Sequence, residues 1–318
     1  MTRLFAALLA SLALVAPATR AQTFPSKPVH LVVPFPAGGT ADLLARSMAD
    51  VLAESWRQPV VVENKPGAGS LLATQYVQRA PPDGATLLMV APSFVVNPMV
   101  SAEAHYDALK DFVPVTLLVT SPLVVVVNAA SPARTLKELI ELARASPGKL
   151  SFASVGPNTT QQMIGEMLKL EEKIDWVYAP YAGGAPAVTA LLGNHVAAVI
   201  GNYSEVSAHI GAGKLRAVAV GTRERLEALK DVPTLGELGY SLIDATIWFG
   251  IVAPAGTPAA AVERIRADMQ RAVSLASVRE KLVAQSLYPT TSGEPFGAFL
   301  SAQSQRYGAL IRQARLKN

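Results

Sequence analysis

The chain has 318 residues, 28 Lys and Arg against 24 Asp and Glu, a formal net charge of +4 and a mean hydropathy of +0.29. A charge this small, with no Lys/Arg cluster interleaved with aromatics, argues against nucleic acid as a partner. Zero Cys excludes a disulfide framework and a thiolate metal site, and the four His (30, 105, 195, 209) have no i,i+4 pairing that would hold a metal. No metal and no cofactor is therefore expected.

The chain begins with the pattern of a secretory leader. Arg3 precedes an apolar run over residues 4–15, Pro17 breaks it, and Thr19-Arg20-Ala21 offers small residues where a peptidase cuts. A run that short does not span a bilayer. Residues 1–21 are expected to be removed, taking Arg3 and Arg20 with them and leaving a net charge of +2. Without a Cys to lipidate and without a later apolar segment of membrane length, the mature chain is expected free in the periplasm, with no membrane insertion.

Strand-like and helix-like runs then alternate. Residues 30–35 form an apolar run bounded by Pro, read as a buried parallel strand. Residues 41–53 follow with helical spacing, Leu43, Leu44, Met48, Val51 and Leu52 sharing a face. A strand over 60–63, a helix over 71–79 and a strand over 86–91 extend the β-α-β pattern. Residues 113–128 are a long β-branched stretch, interrupted by Ser121-Pro122, that reads as a strand leaving one lobe and entering another.

Beyond it come helices over 135–145, 161–170 and 185–192, and strands over 150–153, 176–178, 197–200 and 215–220. Residues 247–253 read as the return crossing, and helices over 262–274, 277–285 and 295–315 close the chain. The expected fold is α/β: two lobes with mostly parallel sheets joined by two crossing strands. Residues 22–121 and 250–318 form lobe 1, and 122–249 form lobe 2. Trp56, Trp176 and Trp248 are expected in the core or hinge.

Three strand-to-helix turns share one physical character. They are Phe35-Pro36-Ala37-Gly38-Gly39-Thr40-Ala41-Asp42, Ser154-Val155-Gly156-Pro157-Asn158-Thr159-Thr160, and Tyr181-Ala182-Gly183-Gly184-Ala185-Pro186. Ligands of open α/β sheets bind outside the carboxyl ends of the strands, where these turns fall. Glycine lets a ligand oxygen approach backbone N–H groups, and a helix start presents unpaired donors with a partial positive charge. Such a site holds an anion without Arg or Lys.

Ser154, Asn158, Thr159 and Thr160 add side-chain donors. Asp42 is open to two readings, a helix-end carboxylate or an acceptor for the ammonium of an amino-acid ligand. Ser93, after the third strand, and Asn202, at the end of another, are further candidates. No nucleophile with a base is evident; an exported hydrolase would need a Gly-x-Ser-x-Gly elbow or its equivalent.

At these turns the chain resembles the periplasmic solute-binding receptors of tripartite tricarboxylate transporters, the Bug or TctC-like family. The resemblance is carried by Phe24-Pro25-Ser26-Lys27-Pro28-Val29, Val33-Pro34-Phe35-Pro36-Ala37-Gly38-Gly39, Asn64-Lys65-Pro66-Gly67-Ala68-Gly69, Pro180-Tyr181-Ala182-Gly183-Gly184-Ala185-Pro186 and Trp248-Phe249-Gly250. It implies a two-lobed type II periplasmic binding fold of the Venus-flytrap kind and a binding role rather than an enzymatic one. It also implies a small organic acid or amino acid as ligand and a two-component integral membrane permease as partner; a monomer is expected.

Carried over residue by residue, it places the ligand carboxylate at Ala37 through Thr40, with Phe35 and Asp42 beside it. Second-lobe contacts fall to Ser154, Asn158, Thr159, Tyr181, Gly184, Ala185 and Asn202. Ala182, where members often carry Lys or another polar residue, and Gly201-Asn202, where they often carry Asp-Asn, imply a more apolar selecting side. A receptor that presents its liganded state to a sensor kinase would share all of these features.

Overall fold

A computed structural model describes residues 24–240, 246–290 and 295–313. The proposed leader and its cleavage site lie outside the described residues. The strands are β1 (Val29–Val33), β2 (Val60–Asn64), β3 (Thr86–Val90), β4 (Phe112–Asn128), β5 (Ser151–Ser154), β6 (Val177–Pro180), β7 (Ala198–Asn202), β8 (Leu215–Val220), β9 (Thr246–Pro254) and β10 (Tyr288–Pro289). The α-helices are α1 (Thr40–Trp56), α2 (Leu71–Gln78), α3 (Ser93–Val100), α4 (Leu136–Ala145), α5 (Thr160–Glu171), α6 (Gly184–Leu192), α7 (Tyr203–Gly211), α8 (Ala259–Ser274), α9 (Ala276–Ala284) and α10 (Phe296–Gln313).

One strand joins the two halves. The sheet runs β2-β1-β3-β9-β4-β7-β5-β6, with β8 and β10 also paired to β4. Residues 112–122 of β4 pair with β9, and residues 123–128 pair with β7 and β8. Seventeen extended residues cover about 56 Å, enough to serve both halves. Pro122, which has no N–H to give a ladder, sits at the handover: it is the last partner of β9, and Leu123 is the first of β7.

The ladders β2-β1-β3 and β7-β5-β6 are parallel, as expected where a helix carries the chain back over the sheet. The ladders of β4 and of β9 are antiparallel, so these two strands run against the direction of their neighbours. From Thr246 onward β9 lies wholly against β3 and the first part of β4.

Helical periodicity explains the packing. Leu44, Met48, Leu52 and Trp56 of α1, four residues apart, are all buried. Trp56 donates its Nε1–H to Asp268 of α8 at 2.7 Å, so α8 is held to α1 by a buried polar bond. The α8 and α9 helices pack on α1, and α10 packs on α3, which returns the C-terminal region to the first half. Trp56, Trp176 and Trp248 are core residues.

Candidate functional site

Five strand ends converge on one cleft. It is lined by Phe35, Pro36, Ala37, Gly39, Thr40 and Ala41 after β1, by Ala91, Pro92 and Ser93 after β3, and by Val155, Thr159, Thr160 and Gln161 after β5. Gly183, Gly184, Ala185 and Pro186 follow β6, Asn202 and Glu205 follow β7, and Ile247 and Phe249 come from β9. The starts of α1, α6 and α7 are Gly39, Gly183 and Asn202, and none has a side-chain capping bond. Their first N–H groups stand beside the cleft, and those at Thr40 and Asn202 face the Glu205 carboxyl. By contrast, α4, away from this site, has a full capping box between Thr135 and Glu138. Among the described residues no Lys, Arg or His lines the cleft.

Of the residues singled out by sequence, Phe35, Ala37, Gly39, Thr40, Ser93, Thr159, Gly184, Ala185 and Asn202 come together here. Gly38, Asp42, Ser154, Asn158 and Tyr181 are not among the residues that line it. Asp42 is buried and accepts bonds from the Gly38 N–H at 2.9 Å, Arg46 Nε at 3.0 Å and Asn64 Nδ2 at 2.9 Å. Burial works to raise its pKa, but these donors and the Arg46 charge outweigh it and hold the carboxyl below its ordinary value. Its bond from Gly38 fixes the Gly38-Gly39 turn, and Asn64, which also donates to the Phe35 carbonyl, ties it to the end of β2. Ser154 donates to the Gly156 carbonyl, and Asn158 donates to Asn97 Oδ1 across the halves at 3.0 Å.

Thr40 is the junction of the cleft. Its hydroxyl donates to Glu205 Oε1 at 3.0 Å and accepts from Asn202 Nδ2 at 3.0 Å. Ser204 Oγ lies 2.9 Å away. A hydroxyl has one donor and two acceptor sites, so with its proton given to Glu205, Thr40 receives Ser204 as a donor. The two halves thus meet through a saturated hydroxyl. With the Asn158–Asn97 bond, Thr160 and Tyr307 at 2.8 Å form a further link.

Glu205 is the residue that sequence reasoning missed. Among the described residues it is the one ionisable side chain lining the cleft, and it sits in the first turn of α7. The residue as a whole is only partly buried. Its Oε2, however, is shut off from solvent and has no hydrogen-bond partner. Loss of solvation raises its pKa more than the donors at Thr40 and Asn202 lower it. The available signal was its position: an acid three residues past Asn202, at the helix start after β7, where the other cleft residues fall. The expected apolar selecting side therefore carries a carboxylate.

The family model described as "Tripartite tricarboxylate transporter family receptor" matches residues 44–316. The chain belongs to that family. It is 34% identical to Protein BugT of Bordetella pertussis over 323 residues, covering 100% of this chain and 99% of the other. A Rhodopseudomonas palustris protein solved with adipate superposes with a TM-score of 0.86 at 30% identity, over 92% of this chain and 98% of that one. MatC from the same organism, solved with bound malate, gives 0.86 at 27% identity, over 91% and 100%.

This receptor family is one of periplasmic solute-binding proteins, and the two-lobed α/β architecture is theirs. The family likeness and the cleft agree in their chemistry: helix-start donors stand at the carboxyl ends of strands from both halves. No helix among the described residues is long and apolar enough to cross a membrane.

Proposed function

We propose that this chain is an exported receptor that holds a small carboxylate-bearing molecule between its halves and delivers it to a tripartite tricarboxylate-type permease. The carrying observation is that the starts of α1, α6 and α7, without side-chain caps, border one cleft with no basic side chain among the described residues. Main-chain N–H groups and the Ser93 hydroxyl are the natural receivers of an acid group there. Asp42 is a support of the first turn in this reading and Ser154 and Asn158 are supports of the second. The relatives solved with adipate and malate support an acid as ligand. The mature chain acts as a monomer in the periplasm, without a cofactor.

A thermal-shift screen of the mature protein against monocarboxylates, dicarboxylates, aromatic acids and amino acids tests this reading. Ligand at about 100 times its dissociation constant stabilises a folded receptor by about 2.7 kcal/mol. A rise of several degrees with one acid class is expected. Absence of stabilisation by every acid overturns the proposal.

A further inference from the structure

We infer that Glu205 is a specificity-determining residue which takes a nitrogen-bearing hydrogen-bond donor of the ligand, so that the preferred ligand is an amino or amide acid rather than a dicarboxylic acid. The inference rests on the acid-receptor reading of the same cleft and deepens it.

The carboxylate of Glu205 is built into its place. A Cβ on Gly184 would stand 2.0 Å from its Cδ and Oε2, and a Cβ on Gly201 would stand 3.8 Å from Oε2. The glycine at 184 thus leaves the room it occupies, whereas a Cβ on Gly201 would make only ordinary contact with it. Oε1 receives the Thr40 hydroxyl, whereas Oε2 has no donor. Glu205 forms no ion pair among the described residues, and the groups facing it, Thr40, Asn202, Ser204 and Gly184, carry no charge. A carboxylate oxygen withdrawn from water without a partner is unfavourable, and a donor brought by the ligand corrects this directly. A second carboxylate on the ligand does the opposite, since two like charges in a cleft of low polarity repel. Adipate and malate, held by the two relatives described above, are both diacids.

Matched pairs of equal length test this by calorimetric titration of the mature protein: 4-aminobutanoate against succinate, 5-aminopentanoate against glutarate, and 6-aminohexanoate against adipate. The corresponding monoamides form a neutral third arm and separate a cationic from an uncharged donor. The expected result is that the amine or amide of the best-fitting length binds at least tenfold tighter than its diacid. E205Q, similar in size and checked by its melting curve, is expected to erase or reverse that ratio. Diacids that bind as tightly as their nitrogen-bearing partners, or a ratio unchanged in E205Q, overturn this inference while leaving the acid-receptor reading intact. Binding of no member of any series overturns both.

Discussion

Gly184 and Glu205 are in direct apposition: the start of α6 passes so close under the carboxylate that a Cβ at 184 would stand 2.0 Å from Glu205 Cδ. The contact joins two helix starts that are separated by β7 in the chain. Gly184 is not among the residues with positive φ, so its backbone accepts alanine. Gly184→Ala should therefore keep the fold, with a melting temperature close to that of the parent, while driving the Glu205 carboxylate from its place. Titration should show the preference between nitrogen-bearing acids and diacids weakened by at least tenfold. A preference unchanged by the added methyl would mean that Glu205 accommodates it without moving.

Thr40→Val removes a hydroxyl that serves Glu205, Asn202 and Ser204 at once. Each neutral hydrogen bond contributes about 0.5–1.5 kcal/mol net, and a stranded partner costs about 1–3 kcal/mol. Affinity for the stabilising acid should fall by about tenfold or more, read by calorimetry. Small-angle scattering should report a larger radius of gyration, because the saturated link between the halves is gone.

Asp42→Ala should act on stability. The substitution leaves the Gly38 N–H, Asn64 Nδ2 and Arg46 without their shared acceptor. A loss of about 1–3 kcal/mol in urea unfolding is expected. Because the folded carboxyl is held below its ordinary value of 3.8, its stabilisation is present above that pH and disappears as the pH falls through the depressed value. The parent and the variant should therefore converge in stability in strong acid.

Glu205 has the opposite linkage. Its folded pKa is raised above 4.5, so the folded state holds the proton more tightly than the unfolded chain. Its favourable contribution is present below 4.5 and is lost as the pH rises through the folded value. E205Q, which cannot ionise, should gain stability relative to the parent across that rise, measured as melting temperature against pH. Binding of an ω-amino acid to the parent should weaken as the pH falls through the same window. A flat difference across it would show that Glu205 ionises as it does in water.

The α/β alternation was legible because buried parallel strands are continuous apolar runs and helices bury one stripe. Leu31 to Val33, Leu87 to Val90 and the Leu44-Met48-Leu52 face are buried as that pattern requires. The glycine-rich turns were legible for a related reason: a strand end followed by Gly-Gly and a helix start places unpaired donors wherever the sheet directs them. The antiparallel course of β4 and β9 was less so, since an apolar run of β-branched residues carries no mark of its direction. Asp42 and Glu205 were the hardest to separate. Both are acids in the first turn of a helix that follows a strand. Local chemistry gives both the same preference for a helix start.

The amino-acid order alone determined the elements, their sequence of β-α-β units and the helix starts that carry the donors, because these depend on neighbours within a few residues. Only the tertiary structure decided which acid is satisfied and which is left with a free oxygen. Asp42 finds Arg46 and Asn64 beside it, whereas Glu205 meets Thr40 from a segment 165 residues away and no cation among the described residues. Charge in a cleft is settled by what the fold brings against it, and those partners are distant in the chain.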